Sequence, residues 1–179
     1  MKDTIFFFFN FCRLPKKENP LSEAFDPLIR LRSPRERLGG YAILPRLIDK
    51  VRLHHLGILP DEYCQKLLSS DQSAALDGCF LKFAGIDPES LRKTILSVSE
   101  DQEVADWVER NALFHTQTEK EAWETELVRR FSDPTPERIA IRSRLYPELA
   151  EKLGAKTLGA LDPFKMIDLD EGRISIGSL

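Results

Sequence analysis

Three histidines and three cysteines are the side chains of this 179-residue chain best suited to hold a metal or attack a substrate. Their spacing limits what they can do. His54 and His55 are adjacent, so on a helix they diverge by about 100° and cannot converge on one ion, and His115 lies far along the chain. No His-x-x-x-His, Glu-x-x-His or paired-cysteine pattern occurs, and no metal is expected. His55 falls on an apolar stripe, which predicts a hydrogen-bonded core histidine. Cys12, Cys64 and Cys79 lack Cys-x-x-Cys spacing. Only Lys66 and Lys82 stand close to Cys64 and Cys79, so inert, reduced thiols are expected. The chain has no Gly-x-Ser-x-Gly elbow and no glycine-rich phosphate loop around Gly39-Gly40. It carries no catalytic motif, leaves open whether it is an enzyme, and implies no cofactor.

Charge placement is more informative. From Arg30 to His55 the chain has seven Lys or Arg (30, 32, 35, 37, 46, 50 and 52) against two acids (Glu36 and Asp49), a local excess of five positive charges within a chain of net charge −3. One reading is neutralisation, because Asp49 lies three residues from both Arg46 and Arg52 on a helix. The sharper reading is an anion site. Arg35 and Arg37, at a helix N-terminus where the dipole favours anions, would join Tyr41, Arg46, Asp49 and Arg52 around a bend to hold a phosphate or carboxylate. The protein is then a non-enzymatic domain binding an anionic small molecule or an acidic partner surface. Two alternatives stay open. Glu62, Tyr63, Asp49 and His54 would supply acid-base chemistry if the loop after Leu59 closes over the helix. The aromatic run Phe6 to Phe11 would serve a structural or oligomeric helper. The overall acidity and the lack of interleaved aromatics argue against nucleic acid.

The elements that position these residues follow from composition and punctuation. At 42% apolar and 31% charged, the chain can bury one core, and bulk disorder or a disulfide scaffold is excluded. Ile5 to Cys12 is too short to span a bilayer, which takes about 20 apolar residues, and lacks a signal-peptide cleavage pattern. The protein is expected in the cytoplasm, without membrane association and with its oligomeric state open. Residues 1–25 read as an irregular extension, and 26–179 as one helical domain with an amphipathic C-terminal segment docked back. Ser33-Pro34-Arg35-Glu36 has the residues of a helix start, and the stripe Tyr41, Leu44, Ile48, Val51, His55 continues it. Gly39, Gly40 and Pro45 predict a kink in that helix. Further helices are expected over Leu76–Ala84, after Asp87-Pro88, after Ser99, from Thr118 through Phe131, and through Ile139 to Gly154. Leu158 to Leu169 reads as amphipathic. No segment alternates like a strand, so the expected fold is all-α: an irregular bundle of about six to eight short helices.

The string Arg32-Ser33-Pro34-Arg35-Glu36-Arg37-Leu38-Gly39-Gly40-Tyr41, followed by Leu44-Pro45-Arg46-Leu47-Ile48-Asp49-Lys50-Val51-Arg52, resembles the signature of a bacterial family known as domain of unknown function 5069. Asp61-Glu62-Tyr63, the segment Leu76 to Asp87, Asp101 to Val108 and Ile167 to Arg173 resemble further family elements in the same order. Asp61 stands where the family has glycine, and the polar stretch to Ala75 is longer than the family's. The resemblance covers about Asp26 to Arg173. It implies a small, cytoplasmic, helical protein and assigns no activity.

Overall fold

The computed structural model describes residues 31–69 and 75–179. The expected extension 1–25, with its Phe6 to Phe11 run, lies outside the described residues. The chain divides into two compact units, one within Asn19–Glu124 and the other including Thr125–Leu179, and the boundary falls inside a helix. The regular elements among the described residues are helices apart from one short hairpin, an all-α class.

The predicted helix start at Ser33-Pro34 is instead a turn. The Glu36 amide donates to the Ser33 carbonyl at 3.1 Å. The Ser33 amide donates to the Glu36 carboxylate, and the Arg35 amide donates to Ser33 Oγ. These cap-like bonds close one turn, and the chain then extends into β1 (Arg37–Leu38), which pairs antiparallel with β2 (Tyr41–Ala42). Gly39 and Gly40 form the two-residue connection with φ of 57° and 78°. Positive φ at both central residues suits the right-handed twist of a hairpin, and glycine adopts it without steric cost. A Cβ at Gly40 would also run into the Gln117 and Lys120 side chains. The expected kinked helix therefore does not exist: the glycine pair makes a hairpin, and Pro45 sits in the first turn of a separate helix, α1 (Leu44–His55), where its missing N–H costs nothing. Ile43 joins hairpin to helix, fully buried and at φ 72°, a region β-branched residues avoid. Its carbonyl accepts the first α1 bond from Leu47.

The core of this unit forms where Tyr41, Leu44, Leu47, Ile48 and Val51 meet apolar residues of the helices that follow α2 (Asp61–Cys64). These are α3 (Leu76–Ala84), α4 (Pro88–Ser97) and α5 (Asp101–Asn111). They contribute Phe80, Leu81, Leu91, Ile95, Val104 and Val108. Helix α1 packs against α4, and α4 against α5. Gly85 closes α3 in the left-handed conformation, and Asp87 caps α4, both as the sequence predicts. Ser99 does not cap α5; its carbonyl instead accepts from Arg52. Helix α6 (Gln117–Ser132) starts from a reciprocal cap between Thr116 and Glu119.

In the second unit, prolines cut the chain more finely than its periodicity suggests. Helices α7 (Pro136–Leu145), α8 (Pro147–Leu153), α9 (Ala155–Ala160) and α10 (Pro163–Asp170) follow in order. The segment read as amphipathic from Leu158 to Leu169 is broken where Asp162 caps α10 just before Pro163. Helices α7 and α9 lie so close that a Cβ at Gly159 would overlap Ile139. The buried Arg142 fills the same junction, donating to the carbonyls of Leu158 (2.8 Å), Gly159 (3.1 Å) and Leu161 (2.7 Å).

Candidate functional site

Helix α1 carries two polar stripes, each set by helical spacing. Asp49 and Arg52, three apart, are half-buried on one side, while Arg46 and Lys50, four apart, are buried at 4% and 7% exposure. The first stripe is tied up in a closed network. Arg32 grips Asp49 through Nε and Nη2, with a shortest contact of 2.7 Å, and its backbone amide donates to the same carboxylate at 2.8 Å. Its Nη1 reaches Asp101 at the start of α5 at 2.6 Å. Arg52 pairs with the other Asp101 oxygen at 2.6 Å. Burial alone would lower the Arg32 guanidinium, but the hydrogen bonds and charges of Asp49 and Asp101 outweigh it and hold it above its ordinary value. Two guanidinium groups and two carboxylates balance one another, which makes this stripe a structural clamp.

The second stripe gathers cations. Arg46 donates to the Arg32 carbonyl at 2.9 Å and places its guanidinium 5.7 Å from the centre of the Tyr63 ring. Lys50, one turn on, donates to both oxygens of Asp77 in the first turn of α3. Lys66 lies one turn beyond Tyr63, half-buried. Burial, and then the Lys50 charge, push its ammonium below its ordinary range. Two short rows thus face each other: Arg46 and Lys50 on α1, Tyr63 and Lys66 on α2 and the turn after it. Three cationic groups and a phenol make up these rows, a composition suited to a small anion.

The expected site residues divide accordingly. Arg35 is exposed on the turn after Pro34, and Arg37 on β1 reaches Glu124 at 2.7 Å and Glu121 at 3.7 Å. Neither stands at a helix N-terminus, because the helix that would provide one is a hairpin. Tyr41 is buried, edge-on to Phe80 and Phe83, with Lys120 Nζ 4.1 Å above its ring. Burial, and then the Glu109 charge, raise its hydroxyl. Arg46 belongs to the cationic rows; Asp49 and Arg52 belong to the clamp. Of the acid-base set, Tyr63 meets Arg46, Asp49 is turned to Arg32, His54 is exposed with Nδ1 3.5 Å from Arg92, and the Glu62 side chain lies outside what the structure describes. His55 is also exposed, against expectation, because α1 runs past the core at its last turn. His115 lies stacked on Phe83 and bonded to the Phe83 carbonyl. Cys79 is buried, and Cys64 Sγ donates to the Leu59 carbonyl. Among the described residues no three His, Cys, Asp or Glu are grouped to hold a metal ion.

Sequence reasoning passed over Lys50, Lys66 and Asp77 as site residues. The i, i+4 spacing of Arg46 and Lys50 among buried positions was a usable signal for the first; Asp77 and Lys66 come near Lys50 only through the fold. In the second unit, a shallow cavity of about 510 Å³ is lined by Lys156, Thr157, Leu161, Asp162 and Lys165. The Asp162 carboxylate there is engaged in capping α10.

The chain belongs to the family described as domain of unknown function DUF5069, whose model matches residues 29–173. No curated protein matches it. Three of the motifs that carried the resemblance supply charged residues to the two stripes: Arg32 comes from the first string and Arg46, Asp49, Lys50 and Arg52 from its continuation, Asp77 from the Leu76 to Asp87 segment, and Asp101 from the Asp101 to Val108 element. The last motif closes on itself, with Arg173 Nη1 donating to Asp168 at 3.1 Å.

Proposed function

We propose that this protein is a non-enzymatic helical domain of the bacterial cytoplasm that binds a small anion through Arg46, Lys50 and Lys66. The observation that carries the reading is the burial of Arg46 and Lys50 on one stripe of α1, with Tyr63 against Arg46 and with Lys66 lowered by burial and by the Lys50 charge. An added anion relieves the repulsion between Lys50 and Lys66 and gains charge-assisted hydrogen bonds where water is scarce. Buried cations also favour a small molecule over an acidic protein surface, which could not reach them. No helix among the described residues is long and apolar enough to cross a membrane.

Thermal shift with inorganic phosphate, oxalate and citrate at low salt tests the proposal. A ligand present at a hundredfold excess over its Kd adds about 2.7 kcal/mol of stability. The Arg46→Gln and Lys66→Gln variants should each lose that response, while Arg35→Gln keeps it. If no anion raises the Tm, or if the Lys66→Gln variant responds like the parent, the reading fails.

A further inference from the structure

We propose that the loop between α5 and α6 is a self-association contact, with Phe114 of each copy docked on the same loop of a second copy of this chain. The contact uses none of the residues of the anion site and stands or falls separately from it. Leu113 and Phe114 are consecutive and 60% and 83% exposed, and Phe114 is the most exposed large apolar side chain among the described residues. The loop that carries them is fastened to the last turn of α3. The Leu113 amide donates to the Ala84 carbonyl at 2.8 Å, and His115 Nε2 donates to the Phe83 carbonyl at 2.9 Å. Leu113 covers Gly85 so closely that a Cβ there would overlap its side chain. The His115 ring stacks on Phe83 with centroids 3.9 Å apart, and Trp123 stacks on Phe83 at 4.6 Å, so Phe83 is sandwiched between two rings. All three rings are half-exposed, which extends the apolar surface next to Phe114. An aromatic side chain held out on a loop already fixed in place loses little freedom on docking, the condition under which such a residue dominates an interface.

Charge points to the occupant. Lys82 and Arg110 are exposed in the last turns of α3 and α5, the helices that end at the loop. Glu119 and Glu121 are exposed near the start of α6, the helix that leaves it. Glu109 adds no net charge, because it pairs with Lys120 at 3.1 Å. Two cations and two acids cancel, so this rim offers no net attraction to an anionic bilayer or to nucleic acid. A second copy matches it: a two-fold axis through the loop sets the cationic side of one copy against the acidic side of the other and brings the two Phe114 rings together. Two apolar side chains and the edge of a stack are small beside the roughly 800 Å² per partner of a stable interface, so association is expected only at concentrations on the order of tens of micromolar.

Sedimentation velocity of the full chain from about 1 to about 300 µM tests the proposal across that range, and the mass should climb from one chain toward two. Phe114→Asp should weaken association at least about tenfold while keeping the parent's Tm, because the side chain it replaces stands in water. Phe114→Ala, which introduces no charge, should lose association in the same direction and guards against a fold defect in the Asp variant. A parent that stays a single chain at every concentration overturns the proposal. So does association that both variants retain at the parent's strength, which would place the contact elsewhere in the chain. Vesicles of phosphatidylglycerol form the second arm. A monomeric parent that sediments with them, and loses them on Phe114→Ala, would give the loop to a bilayer and overturn the second copy as its occupant.

Discussion

Arg32 holds Asp49 through its guanidinium and its backbone amide at once, with contacts of 2.7 and 2.8 Å. This double grip takes Asp49 away from Arg46 and Arg52, its helical neighbours three residues on either side, and fastens the chain ahead of the hairpin to the middle of α1. Arg46 meanwhile donates to the Arg32 carbonyl and lies against Tyr63, so Arg32 ties the two stripes of α1 together.

Replacing Asp49 with Asn should therefore cost about 2–3 kcal/mol, since it leaves a half-buried guanidinium without the carboxylate it faces. Arg52→Gln should cost no more than about 1 kcal/mol, because Arg32 still occupies both Asp49 and Asp101. Urea unfolding of the two variants at neutral pH measures the difference. Equal losses would show that the clamp is not centred on Arg32.

Lys66 should weaken the fold at neutral pH. Its ammonium is lowered in the native state by burial and by Lys50, whereas in the unfolded chain it titrates at its ordinary value. Below both values each state carries the proton and the native state bears the full penalty. As pH rises from the lowered native value toward the ordinary lysine value, the unfolded chain binds more protons than the native one, so stability from this group increases with pH. Lys66→Gln should accordingly be more stable than the parent at pH 7, and the gap should shrink as pH climbs through that window. A gap that is constant or widens with pH would contradict the environment assigned to Lys66.

Arg142 serves the second unit differently. Burial, followed by the Arg138 charge, lowers it to about 10, a cost that its donations to the Leu158, Gly159 and Leu161 carbonyls offset. Arg142→Met should destabilise the unit by about 3 kcal/mol, because carbonyls at the end of α9 lose their donor. Arg142→Lys should recover little, since one ammonium cannot span the spread of acceptors that a guanidinium fork reaches. Hydrogen exchange in α7 and α9 reads the loss directly, and protection equal to the parent in the Met variant would contradict this role.

Much of the helical order was legible because it is written locally. Asp87-Pro88 and Gly85 each carry their own backbone instruction, and the structure follows them. Ser33-Pro34-Arg35-Glu36 misled for a related reason: its cap bonds form, yet they serve equally well to close a turn, and the glycine pair downstream decides in favour of a hairpin. The Asp49 reading failed on a non-local competitor, since a bidentate contact from Arg32 outweighs the few tenths of a kcal/mol available from exposed intrahelical pairs.

The amino-acid sequence by itself determined the helical class, most helix limits, the family and the concentration of positive charge around α1, all properties of neighbouring residues or of composition. Only the tertiary structure decided which of those charges are neutralised and which converge. Arg32 and Asp101 are 69 positions apart, and Lys50 and Asp77 are 27 apart. Whether a guanidinium or ammonium meets a carboxylate depends on how helices pack, and a linear pattern does not carry that information.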